Sequence, residues 1–299
     1  MALVPKKTTE DSIPMTLFKI LVLALIQGAC ELLPVSSSAH VILAEKLMGI
    51  NPTAPEMTFL LVMLHTGTMF AVMVYFWKTW RERYFSSAAV FWPFVGRVVV
   101  ATGLTGTIGL LLLVVIERFF MRGIAHPQIE MIFGNSYIIA AGLAAVGIMI
   151  IFSGKHSRNH GDGRPVGFRD SVWIGAVQGL CLPFRGFSRS GATISTGLFR
   201  NLAKERVEEF SFALAVALTP PVIAKEGYRL YKAQQVAGQA GHYFSLLWPS
   251  FFGMAASFVA GLAALRLLSR WLEHNRWHWF GYYCLLVSAV VLGAEWFWH

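Results

Sequence analysis

Hydrophobic residues in this chain come in long blocks free of charge, without the alternation of half-buried strands or the narrow stripes of soluble helices. Residues 57–77, 98–116, 131–154 and 277–294 contain no Asp, Glu, Lys or Arg. Residues 233–265 are also charge-free, and the later part of that run is continuously apolar. The run 210–224 is shorter and contains Pro220-Pro221. About 20 apolar residues span a bilayer, so six crossings are predicted, near 58–77, 95–116, 131–152, 208–225, 245–267 and 278–297. The fourth is expected to be broken or bent at its proline pair. Four other charge-free runs, 20–30, 32–44, 171–184 and 190–199, are too short to cross. Each adjacent pair is interrupted by polar residues, proline and glycine. They predict two re-entrant helix–loop–helix hairpins, near 16–49 and 171–201.

The two interruptions echo each other. Residues 26–39 read IQGACELLPVSSSA and residues 177–191 read VQGLCLPFRGFSRSG. Both open on Gln-Gly, pass a proline and end in Ser-x-Ser before a small residue. Each hairpin precedes three predicted crossings. An odd number of crossings per half inverts the second copy relative to the first. The expected fold is therefore an all-α polytopic membrane protein with an inverted-topology repeat. It forms one integral domain over 1–299, with repeat one near 16–153 and repeat two near 171–298.

Composition agrees. The chain is 56% hydrophobic, its mean hydropathy is +0.56, and only 14% of residues are charged, against roughly a quarter in soluble domains. The net charge of +9 does not indicate nucleic-acid binding, because the basic residues sit in loops between apolar runs. Loops near 78–83, 155–169, 200–206 and 266–276 are richer in Lys and Arg than the opposite set, which makes the first set cytoplasmic. Cys30, Cys181 and Cys284 form no metal or redox spacing. The polar segment before residue 15 precedes an apolar run that leads straight into the first hairpin, so it reads as mature chain and not as a signal peptide. Trp77, Trp80, Trp277, Trp279, Trp296 and Trp298 read as interface anchors.

A few polar side chains interrupt the apolar background. Gln27 and Glu31 are four apart and share a helix face. A carboxylate in such a segment marks a functional site by default. Ser36, Ser37, Ser38 and His40 follow Pro34; hydroxyl and imidazole at this spacing suit either a nucleophile with its base or a helix cap. Arg185 and Arg189 stand in the second interruption among Ser188, Ser190, Gly191 and Thr193. A guanidinium fork with hydroxyls at a helix start suits a phosphate. His65, mid-crossing, reads as a packing residue, and Thr66, Gly67 and Thr68 as a close helix contact.

The pattern Gln27-Gly-x-x-Glu31-Leu-Leu-Pro34-Val-Ser-Ser-Ser-Ala-His40 with Gly186-Phe-Ser188-Arg189-Ser190-Gly191-Ala-Thr193 resembles the undecaprenyl-pyrophosphate phosphatases, the bacitracin-resistance protein family. The likeness extends over nearly the whole chain. In that family Gln27 is one of two usual residues, the other being Glu. Ala39 replaces a usual glycine, Arg185 a usual proline, and Thr105-Gly106 a frequent Ile-Pro. The resemblance implies hydrolysis of a C55 isoprenoid diphosphate to its monophosphate, which recycles the lipid carrier of peptidoglycan synthesis and confers bacitracin resistance. From the residues themselves, Ser37, His40, Glu31 and Arg189 are the candidate catalytic residues, Ser37 as nucleophile with His40, three residues on along one helix, as its base and Arg189 on the phosphate oxygens, with Ser36, Ser38, Ser188, Ser190 and Thr193 on the substrate. A divalent cation, Mg²⁺ or Ca²⁺, is expected on Gln27 and Glu31. The expected location is the bacterial cytoplasmic membrane, with the site open to the extracytoplasmic side. The expected partners are the polyprenyl diphosphate and membrane lipids, with no nucleic acid; homodimer formation is left open. A transporter or flippase of the same lipid is the rival reading, since inverted repeats also build transporters. A scaffold is disfavoured, because it has no use for Glu31 and Arg189 at membrane depth.

Overall fold

The computed structural model describes residues 16–50, 55–120, 135–158, 163–237 and 243–298. The polar segment before residue 15 lies outside them. Among the described residues there are ten α-helices and no strand, the one extended contact being an isolated bridge between Arg164 and Leu202. In chain order they are α1 (Leu17–Leu32), α2 (Ser37–Leu47), α3 (Pro55–Tyr84), α4 (Ala88–Val115), α5 (Ser136–Arg158), α6 (Phe168–Cys181), α7 (Arg189–Phe199), α8 (Lys204–Ala237), α9 (Tyr243–Glu273) and α10 (His278–Trp298). A π-helical turn, Ile116–Phe120, extends α4.

Six of these are long and apolar enough to cross a membrane, within α3, α4, α5, α8, α9 and α10. The protein is a multi-pass membrane protein. The crossings run further than the charge-free blocks because Arg81, Arg83 and Arg270 fall in last helical turns, where cations meet the negative end of the helix dipole and reach the interface. Of the two expectations at Pro220-Pro221, a break or a bend, the break does not appear: α8 continues through both prolines to Ala237. Thr219 hydroxyl donates to Ala215 O at 2.7 Å in the turn below them.

Two short helix pairs, α1–α2 and α6–α7, precede the crossings of their halves. Packing pairs off between the halves. The helix α1 lies along α9, and α6 lies along α4; α3 meets α8, and α5 meets α10. Small residues allow these approaches. A Cβ on Gly28 would fall 2.6 Å from Ser257 O, and one on Gly175 would fall 2.5 Å from Ala101 O. Gly67 likewise abuts Met254 O, and Ser257 hydroxyl donates to Leu64 O at 2.9 Å, the close contact expected around Thr66–Thr68. Thr105 hydroxyl donates to Gly175 O at 3.0 Å and accepts from Gln178 Nε2 at 3.2 Å, bonding α4 to α6.

The basic loops gather at one end. Arg97 donates to Val166 O, and Arg83 and Tyr84 hydroxyl donate to Glu209. Lys204 bonds Asn275. Asp170 accepts from Arg164, from Arg200 and from the Gly167 N–H. Burial pushes its carboxyl up, but these donors outweigh burial and bring it from an ordinary 3.8 down to about 2. This loop lock is therefore complete above about pH 4 and weakens as pH falls toward 2. Two of the six tryptophans are not interface anchors. Trp80 and Trp277 are buried, and Trp277 Nε1 donates to Ser153 and Ser195 in the core. Trp77, Trp279 and Trp296 are exposed, while the side chain of Trp298 lies outside the described set.

A close-packed glycine and an open one give contrasting expectations. Gly175→Ala forces backbone apart at the α4–α6 contact and lowers stability by about 1–3 kcal/mol. Gly103 lies inside α4 and meets nothing within 4 Å, so Gly103→Ala leaves stability unchanged or raises it by up to about 1 kcal/mol. Thermal melts of the detergent-purified variants measure both; equal shifts would contradict the assigned α4–α6 contact.

Candidate functional site

The short helices stop where their sequences stop them. Helix α1 ends before Pro34, and the chain turns through residues 33–36 into α2. Ser36 takes φ 67°, a left-handed conformation uncommon for a serine. Three carbonyls of this turn are held by side chains. Leu33 O accepts from Ser190 hydroxyl, Pro34 O from the Cys284 thiol, and Ser36 O from His40 Nδ1. Backbone that leaves helical form inside a membrane domain needs such partners. The second turn closes through Gly186 at φ 95°, where a Cβ would strike Ile139 O. Ser188 then caps α7 by accepting from Gly191 N at 3.3 Å.

The two turns meet. Arg189 Nη2 donates to Glu31 Oε1 at 2.8 Å. Both side chains are largely enclosed, 21% and 18% exposed. Glu31 Oε2 accepts from Ser37 hydroxyl at 2.6 Å and from Gln27 Nε2 at 3.2 Å. His65 Nε2 stands 3.7 Å from the same oxygen. Arg189 Nη1 is buried and has no hydrogen-bond partner. A buried guanidinium donor left unpaired is costly, so this nitrogen calls for an anionic acceptor.

Not every expected residue joins this cluster. Ser37 bonds to Glu31 and not to His40. Both ring nitrogens of His40 are engaged: Nδ1 with Ser36 O and Nε2 with Tyr283 hydroxyl, each at 2.8 Å. The imidazole also stacks on the Tyr283 ring. Ser36 and Ser38 hydroxyls lie 3.3 Å apart, and those of Ser188 and Ser190 3.4 Å apart. Thr193 turns to Ser211 at 2.6 Å and donates to Arg189 O at 2.9 Å, holding the arginine's backbone.

Sequence reasoning set His65 aside and missed Tyr283, Ser211 and Cys284. A histidine in an otherwise apolar crossing was the one visible signal. The others become neighbours of the turns only through packing of distant helices.

Among the described residues no three or more His, Cys, Asp or Glu side chains assemble into a metal cage. Glu31 and Ser37 do offer oxygens at one point, and the Gln27 amide, which here donates through Nε2, adds a third if it turns over. Such a set fits a hard divalent ion that takes its other ligands from water and phosphate. The arrangement combines a hydroxyl aligned by a carboxylate, an arginine with a free donor, and oxygen ligands. Together these can bind an anionic phosphate and promote attack on it.

Comparison with known proteins agrees with this chemistry. The family model described as bacitracin resistance protein BacA matches residues 20–290. An undecaprenyl-diphosphatase 2 of Acinetobacter baylyi is 57% identical over 280 residues, covering 93% of this chain and 98% of that protein. Undecaprenyl-diphosphatases of Gluconacetobacter diazotrophicus and Salinibacter ruber are 34% and 29% identical, covering 94% and 93% of this chain and 97% and 99% of theirs. With the model matching nearly end to end and the motif residues converging on one cluster, this chain belongs to the bacitracin resistance protein BacA family.

Proposed function

We infer that this protein hydrolyses undecaprenyl diphosphate to undecaprenyl phosphate and inorganic phosphate, returning the lipid carrier to peptidoglycan synthesis and conferring bacitracin resistance. The observation that carries the reading is the unpaired, buried Nη1 of Arg189 beside the Glu31–Ser37 pair. A phosphate oxygen is the acceptor such a donor lacks.

In the proposed chemistry Arg189 donates to the non-bridging oxygens of the terminal phosphate and stabilises the charge that grows there. Glu31 Oε2 takes the proton of Ser37 Oγ as that oxygen attacks the phosphorus, and returns it to Oγ when water cleaves the phosphoserine. The Ser37 Oγ–P bond forms as the bridging O–P bond breaks, and its electron pair leaves with the lipid monophosphate. Water then cleaves the phosphoserine and releases inorganic phosphate. Ser36, Ser38, Ser188 and Ser190 line the two turns and orient the phosphate, and Thr193 steadies Arg189. His40 braces the first turn through Ser36 and Tyr283. Glu31 and Gln27 would hold a divalent cation, which when bound supplies Lewis-acid neutralisation of phosphate charge.

We place the protein in the bacterial cytoplasmic membrane, with the two hairpins entering it from opposite faces and the site open to the extracytoplasmic side. What supports this is the gathering of the Lys- and Arg-rich loops at one end, the end that faces the cytoplasm. Phosphate release from a prenyl diphosphate by the purified chain in detergent, abolished by chelator, tests the reading. Lipid movement without phosphate release would instead establish the transporter.

Three further outcomes are expected. Arg189→Ala lowers turnover by on the order of 10²–10³, and Arg189→Lys restores little because a point charge lacks the fork; turnover near the parent's in either variant would remove Arg189 from the phosphate. Ser37→Ala loses at least about a hundredfold in rate, whereas His40→Ala loses less. Full activity in Ser37→Ala with an inactive, folded His40→Ala would make water the nucleophile and His40 its base. Gln27→Glu adds a carboxylate and moves the cation-activation midpoint severalfold lower; an unmoved midpoint would exclude position 27 from the cation site.

A further inference from the structure

Arg97 is the one charged residue of α4. It lies nine residues in from Ala88, roughly 13 Å along the helix axis, within the stretch Ala88–Arg118 that is long and apolar enough to cross. An ionised side chain at such a place needs a partner, and the partner defines what the charge is for. Among the described residues Arg97 has one bond: Nη1 donates to Val166 O at 3.0 Å. Its Nε is buried and bonds nothing. Other arginines at this end are placed differently. Arg83 has Glu209, while Arg164 and Arg200 share Asp170. No carboxylate of the described residues stands within ion-pair distance of Arg97.

The outer face of α4 shows from which side an acceptor can come. This helix is the least enclosed of the six crossings. Trp92, Gly96, Val99, Gly103, Gly106 and Leu110 follow one another at steps of three and four, so they share one face. Trp92, Val99 and Leu110 are exposed. A Cβ on Gly96, Gly103 or Gly106 would meet nothing within 4 Å. The face is therefore bare backbone between bulky side chains, a shallow channel open to an alkyl chain. Arg97 directly follows Gly96 at the basic end of that channel, and Trp92 stands one turn before Gly96, as an interfacial indole does.

We propose that Arg97 and the glycine face of α4 bind an anionic phospholipid, the guanidinium taking its phosphodiester and one acyl chain lying along Gly96, Gly103 and Gly106. A phosphate offers the guanidinium fork the paired oxygens that a single backbone carbonyl does not. Net charge selects the lipid. Arg164 and Arg169 stand two residues before and three after Val166, so a zwitterionic headgroup would bring its ammonium among cations, whereas an anionic one is attracted by all three. A second copy of the chain suits the glycines but not the charge. Across a two-fold axis along the bilayer normal, residues at equal depth face each other, and Arg97 would meet Arg97. The lipid site shares no residue with the Glu31–Arg189 cluster.

The full-length chain, delipidated in neutral detergent, is titrated with phosphatidylglycerol or phosphatidylcholine while bound lipid is read by native mass spectrometry. The parent should bind phosphatidylglycerol about fivefold or more tightly than phosphatidylcholine. Arg97→Gln should lose about fivefold in phosphatidylglycerol affinity and less than about twofold in phosphatidylcholine affinity. Gly96→Leu, which fills the channel and keeps the arginine, should weaken both lipids. Equal affinity of the parent for the two lipids overturns the proposal and needs no variant. Unchanged phosphatidylglycerol binding in Arg97→Gln or in Gly96→Leu overturns it as well. Displacement of the lipid by equimolar inorganic phosphate would leave a site for the ion alone, and a parent dimer that Gly96→Leu dissociates and that takes up no lipid would give the face to a second copy; either result overturns the lipid site.

Discussion

The ion pair between Glu31 and Arg189 is the interaction on which the rest of this molecule depends. Each charge alone would be expensive in a membrane domain. Together, at 2.8 Å, they offset much of that cost, and only when both turns arrive at one place. Loss of either partner leaves the other uncompensated, typically at about 3–5 kcal/mol. The architecture can be read as the means of that arrival. Gly28 lets α1 close on α9, Gly175 and Gly179 let α6 close on α4, and Gly186 lets the second turn press against α5. None of these glycines touches the acid or the arginine. A methyl group at any of them displaces the element that carries one of the two charges.

The two halves use one sequence frame for different ends. Gln27 and Gln178 occupy the same place in the echoed segments. Gln178 donates to Thr105 and joins α6 to α4, while Gln27 donates to Glu31 and belongs to the site. The position four after each glutamine holds Glu31 in one half and Leu182 in the other. The first half supplies the acid and the attacking hydroxyl; the second supplies the cation and a capped helix start. Neither half carries a complete set. A site made this way exists only at the interface of the halves.

Spanning segments were legible because bilayer thickness sets a length that a charge-free run either reaches or does not. The hairpins were legible for the same reason in reverse, since 20–30 and 32–44 are too short and are separated by Glu31. The Gln27, Glu31, Ser37 and Arg189 cluster was legible in membership, because polar groups in apolar surroundings need a purpose. Its wiring was not. The spacing of Ser37 and His40 suggests a pair, yet Ser37 reaches back to Glu31 and His40 reaches across 243 residues to Tyr283. Helical spacing says which residues share a face and nothing about what that face meets. Trp277 shows the same limit: its position near a crossing's end suited an interface, while its indole bonds inside the core. At Pro220-Pro221 the local penalty does not end the helix, which continues on both sides of the pair.

The first turn ties stability to chemistry more tightly than a loop on a soluble scaffold would. Ser36 is held in a left-handed conformation, which a non-glycine residue adopts only where its surroundings over-determine it. Those surroundings are motif side chains. Ser190 holds Leu33 O, His40 holds Ser36 O, and Cys284 holds Pro34 O. Water cannot substitute freely for a missing donor here, as it would at a protein surface. The motif is therefore dense in hydroxyls and imidazole for two reasons at once: some of these groups face the phosphate, and others keep the unwound backbone solvated by protein. Loss of activity on replacing Ser190 or His40 thus carries a backbone component, and loss on removing Arg189 carries the cost of an uncompensated Glu31; Arg189→Lys, which keeps the charge and removes the fork, is the cleaner readout of the contact made by Nη1.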